Sequence, residues 1–155
     1  LSPKMMQEQA KKITQALIQL FPIHAELYQN NLTSLLKELE QADQELATLL
    51  KDKQGKAILV SHPAFAYFCR DYNLEQLSLE EEGKDCLPQY IPELLDKIKT
   101  LGINGIIIEP QHGSKAAKLL AQKLEISTYL LDPYSENYME NLKQMAEVVK
   151  NILHD

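Results

Sequence analysis

KAILVSHPAFAYFCRDYNLEQLSL, residues 56–79, decides how this chain is read. Residues 57–60 form a short apolar run rich in branched side chains, the pattern of a strand buried on both faces of a parallel sheet. His62 comes where such a strand leaves its sheet, and Pro63 suits the first turn of a new helix. A strand that ends in a histidine and passes at once into a helix puts an imidazole on the carboxyl edge of the sheet, where open α/β folds hold their ligands. His62 is therefore the leading candidate for a functional residue.

Downstream the same alternation continues, with apolar runs at 57–60, 74–79, 105–108 and 128–131 and helical patterns at 64–71, 88–101, 114–125 and 136–153. Right-handed crossovers turn this series into an α/β fold, a four-stranded parallel sheet flanked by helices. Upstream the pattern is helical. Ser2-Pro3 reads as a cap with proline at the first helical position, and Met6, Ala10, Ile13, Leu17 and Leu20 recur at four-three spacing until Phe21-Pro22. A second series, from Tyr28 through Leu32, Leu35, Leu39, Ala42 and Leu46 to Leu49, predicts one helix over residues 24–52, about 43 Å long if continuous. That exceeds what a small lobe needs to cover its own sheet, so the helix is either a rigid spacer between lobes or a short coiled coil. The chain thus divides into a helical segment, 1–53, and an α/β lobe, 54–155.

With 155 residues, 45% of them hydrophobic and 25% charged, the chain can bury one good core. The formal net charge of -6 argues against a partner with a phosphate backbone, so no nucleic acid is expected, and it mildly favours a cationic ligand. No run approaches the roughly 20 apolar residues of a membrane span. Cys69 and Cys86 do not form a CxxC pair, which leaves two readings: one disulfide, or two separate thiols.

The informative regularity lies at the strand ends. The four runs lead into Ser61-His62, Glu80-Glu81-Glu82, Glu109-Pro110 and Asp132-Pro133. In a parallel sheet all four positions lie along one edge, where an imidazole and several carboxylates suit a divalent cation or acid-base chemistry. Each also has a plainer reading. His62 could cap a helix, Asp132 could cap the turn that Asp-Pro commonly makes, and Glu80 to Glu82 could be a solvated loop near the cleft. His112 sits beside Gly113, where exposed loop histidines are common, and His24 and His154 read as surface residues. The phosphate-cradling GxGxxG and GxxxxGK[ST] are absent, and no GxSxG surrounds Ser61.

Four blocks together resemble a known family: LSPK at 1–4, SHPAFAYFCRDYNLEQLSLEEEG at 61–83, IIIEPQHGSKAAKLLAQKL at 106–124 and LLDPYSENYMENL at 130–142. In order and spacing they look like the bacterial solute-binding proteins that deliver zinc, manganese or iron to ABC transporters. The resemblance implies a C-terminal lobe with the family's long interlobe helix, and it favours the spacer reading of 24–52. It also implies a metal site between two lobes, to which this lobe gives a histidine and an aspartate, matching His62 and Asp132, while Glu109 takes a supporting role. The family's two other histidines precede Leu1-Ser2-Pro3, so a missing N-terminal lobe is expected to supply them. With half the ligands, this chain alone is expected to bind a divalent transition metal only weakly. The implied partner is an ABC transporter permease, the implied location periplasmic or extracytoplasmic, and no covalent chemistry is required. From the residues alone, an α/β enzyme using Glu109 and Asp132, or a helical interaction module on the 24–52 seam, remains an alternative.

Overall fold

Ser2 Oγ accepts a hydrogen bond of 3.0 Å from Met5 N, and with proline in the first turn this starts helix α1, Pro3–Leu20. The structure is a computed structural model that describes residues 1–81, 84–85, 91–112 and 115–153. A short 3-10 turn, Pro22–His24, reverses the chain into α2, Ala25–Leu49, whose 25 residues make it about 38 Å long. Its buried residues Leu32, Leu39, Ala42 and Leu46 keep to the predicted four-three series. The helix packs along α1 on one side and, farther on, along the last helix, α6, Tyr138–Ile152.

The α/β part contains β1, Ala57–Val60; α3, Ala66–Asp71; β2, Glu75–Ser78; α4, Ile91–Thr100; α5, Lys115–Leu124; and α6. Between them lie a two-residue antiparallel ribbon, β3 Glu80–Glu81 with β4 Lys84–Asp85, then β5, Gly105–Ile108, and β6, Ser127–Leu130. The four long strands are all parallel in the order β2-β1-β5-β6, as the alternation of runs predicts. Every residue of the two central strands, β1 and β5, is buried, which is why these read as continuous apolar runs. Gly105 opens β5 because a Cβ there would lie 2.7 Å from the Tyr129 ring and 2.9 Å from Ile152 Cγ1. The ribbon is new relative to the sequence reading, which leaves 80–82 as a solvated loop.

Three helices end in the same way. After α3, α4 and α5 the residues Asn73, Gly102 and Glu125 take positive φ of 54°, 62° and 57°. In each case the next N–H reaches back to the helix: Leu74 to Cys69 O, Ile103 to Ile98 O, and Ile126 to Ala121 O. This left-handed cap turns the chain sharply into the strand beyond it.

The order of the strands positions the site. From β1 the chain crosses to β2 on one side; from β5 it crosses to β6 on the other. The connections therefore part company between β1 and β5, and a crevice opens there at the carboxyl ends.

Candidate metal centre

His62 lies two residues past β1, just after Ser61 N donates to Ile107 O on β5, so its position is set by the sheet itself. Its Nδ1 is 2.7 Å from Glu80 Oε2. Glu80 is brought there because Leu79 N bonds to Val60 O, which holds the end of β2 beside the end of β1. From the β5 side, the His112 ring stacks on His62 with centroids 3.9 Å apart and planes 10° from parallel. One ligand atom from each of His62, Glu80 and His112 lies within 4.8 Å of the others. This is the set of side chains that the switch point gathers.

Glu109 closes the floor. It is buried to 1% exposure, and among the described residues neither carboxylate oxygen has a hydrogen-bond partner. Oε2 lies 3.7 Å from His112 Nε2, an ion-pair distance beyond hydrogen-bond reach. Burial pushes the Glu109 carboxyl above its ordinary value; His62 and His112 oppose this, and Glu80 and Asp132 add to it. One acid thus feels the ionisable side chains of all the other strand ends, which ties them into a single electrostatic unit.

Asp132 comes after β6 at the same edge, since Leu131 N donates to Ile108 O. Its Oδ1 accepts from Gln111 Nε2 at 2.6 Å and from Tyr134 N at 2.9 Å. Its carbonyl oxygen accepts from Asn141 Nδ2 at 2.8 Å. The structure therefore gives Asp132 the turn-capping contacts that Asp-Pro suggests, close enough to act on Glu109 but outside the His62, Glu80 and His112 group.

Two members of that group stand apart from the sequence reading. Glu80 belongs to the run read as solvated, yet its side chain is only 17% exposed and meets His62. His112 reads as a loop histidine, and it is in a loop, but one folded over the switch point. The available signal was proximity to a strand end: His112 lies four residues past β5, beyond the two residues on which the strand-end argument rests. His24 lies away from this edge, with an edge-on contact to Tyr28 of α2. Cys69 is a free, buried thiol, whereas Cys86 and His154 fall outside the described residues.

The fold and these side chains define a class, an open parallel α/β lobe with metal-ligating residue types at its switch point. Residues 1–152 match the family model described as ZnuA, zinc-uptake complex component A, periplasmic, and the chain belongs to that family. A Chlamydia muridarum protein named for metal binding is 33% identical over 147 residues, covering 94% of this chain and 53% of its own length. A zinc-binding protein AdcA of Streptococcus pyogenes is 30% identical over 135 residues, covering 86% of this chain and 26% of the relative. A crystal structure of ZnuA superposes with a TM-score of 0.94 at 34% identity, covering 98% of this chain and 60% of that one. The family resemblance and the fold class read from the sequence are both borne out, and the chain spans roughly half of the first of these relatives.

Proposed function

We propose that this chain is the C-terminal lobe, with its connecting helix, of an extracytoplasmic receptor that binds a divalent transition metal and hands it to an ABC transporter permease. Zinc is the cargo that best fits. Neutral imidazole and carboxylate oxygen suit it, and it lies above manganese and ferrous iron in the affinity series for such ligands. The observation that carries the reading is His62 at the β1/β5 switch point of a chain in a zinc-uptake family. Its ligands in the complete receptor are taken to be His62 and Asp132 from this lobe and two further groups from a lobe preceding Leu1.

The helical hairpin offers that lobe a surface. Where α1 passes into α2, Leu20 is 70% exposed and Ile23 88%, with Phe21 and Leu27 beside them. An apolar patch of this kind marks a contact face rather than a solvated end. Receptor function needs only binding and release, so the lobe's task is to hold ligands in place without chemistry.

The test uses the longer protein that contains this chain. His62→Ala is expected to weaken zinc affinity by more than tenfold in a metal-competition titration, while the melting temperature of the metal-free protein stays near that of the parent. Equal affinities would dismiss His62 as a ligand and this reading with it.

A further inference from the structure

We propose that this lobe also holds a zinc ion by itself, on a local three-ligand site made of His62, Glu80 and His112, with Asp132 outside it. The proposal rests on the receptor reading only through His62, which the two ligand sets would share.

Three observations converge. The ligand atoms of the three side chains already lie within 4.8 Å of one another, although they come from the segments after β1, β2 and β5. A tetrahedral zinc with bonds of about 2.0–2.1 Å needs its ligand atoms roughly 3.3 Å apart. The gap closes by side-chain rotation, for His62, Glu80 and His112 are 24%, 17% and 34% exposed and can turn without repacking the core. His62 Nδ1 and Glu80 Oε2 face each other at 2.7 Å, so an ion between them would replace one hydrogen bond with two coordinate bonds.

The second observation is the stack of His62 on His112. With centroids 3.9 Å apart and planes 10° from parallel, the two imidazoles share one small space at the switch point although they come from different strand ends. The third is Glu109, a fully buried carboxylate without a hydrogen-bond partner among the described residues, 3.7 Å from His112 Nε2. A metal-bound imidazole commonly donates its other N–H to such a carboxylate, which orients the ring and makes it a better donor. His112 is built to serve as a ligand backed by Glu109.

Asp132 lies outside this cluster of ligand atoms, and its Oδ1 accepts from Gln111 and from the Tyr134 N–H. Three protein ligands leave a fourth position to water, an open shell of the kind that exchanges ligands readily. Since His62 serves both sets, one ion occupies one or the other.

The experiment is titration calorimetry of the 155-residue chain with zinc at neutral pH, with circular dichroism to confirm that each variant keeps its helical content. One-to-one binding is expected. His112→Ala and Glu80→Ala should each weaken it by tenfold or more. Zinc X-ray absorption of the loaded chain should show two imidazoles per ion. Absence of binding, a single imidazole, or loss in Asp132→Ala with His112→Ala unaffected would overturn the local site. None of these outcomes would touch the receptor reading, which stands or falls with His62→Ala in the longer protein.

Discussion

Asp132 accepts two hydrogen bonds on one carboxylate oxygen, from Gln111 Nε2 and from Tyr134 N, so it shapes the turn toward α6 whether or not it meets a metal ion. The two roles separate by substitution. Asparagine keeps an acceptor oxygen in the same place but loses the charge that a cation needs, whereas alanine loses both. Asp132→Asn in the longer protein is therefore expected to lower zinc affinity by tenfold or more with little change in stability. Asp132→Ala is expected to lower affinity equally and to cost about 1 kcal/mol of stability besides. Competition titration and denaturant melting on both variants check this. If Asp132→Asn binds zinc as the parent does, the aspartate is a turn residue only.

At the scale of elements, the left-handed caps after α3, α4 and α5 differ in how well their residues suit them. Gly102 carries no Cβ, and Asn73 tolerates the conformation, but Glu125 at φ 57° bears the steric cost that an L side chain meets there. Glu125→Gly is accordingly expected to stabilise the chain by about 1 kcal/mol, read as a higher midpoint in urea. An unchanged or lower midpoint would mean that the Glu125 side chain offsets its strain in some other contact. The same comparison explains what was readable. Gly102 marks the cap after α4 in the sequence, whereas the helical pattern read over 114–125 gives no sign that Glu125 takes the left-handed conformation.

For the whole molecule, the core does not respect the division at 53/54. Leu46 and Leu50 belong to the same buried cluster as β1, β5 and α6, so the foot of the long helix is part of the α/β core while its far end stands apart. Several acidic protons are buried in or beside that cluster. Burial pushes the Cys69 thiol up to about 12. Burial, with the Asp71 charge, pushes the Tyr138 hydroxyl up to about 12. Burial and its bond to Asp43 raise the Tyr72 hydroxyl as well. Unfolded, these groups titrate near about 8.5 to 10. Below about pH 8.5 both states keep the protons, and the stability these groups supply is fully present. Above it the unfolded chain loses protons that the folded chain retains. Stability then falls by up to about 1.4 kcal/mol per pH unit for each group, until the folded values are reached. Denaturant midpoints at pH 7, 9 and 10.5 should decline in that order. A flat series would show that these hydroxyls and the thiol reach solvent in the folded chain.

By itself the sequence determined the parallel α/β architecture, since period and run length are local properties: β1 and β5 are apolar at every position because both their faces are covered. It also determined where His62 and Asp132 stand, because residues just past a strand emerge at the sheet edge, whether the strand is buried, as β1 is, or largely exposed, as β6 is. Only the tertiary structure decided which strand ends become neighbours. The order β2-β1-β5-β6 sets His62 beside Glu109 and His112, 47 and 50 positions farther along the chain, and the register of β1 with β2 brings Glu80 to His62. Pairing order depends on which crossovers pack against which sheet face, a sum over many weak contacts far apart in sequence. No spacing rule within one segment carries that sum, which is why His112 reads as an ordinary loop histidine until the sheet is assembled.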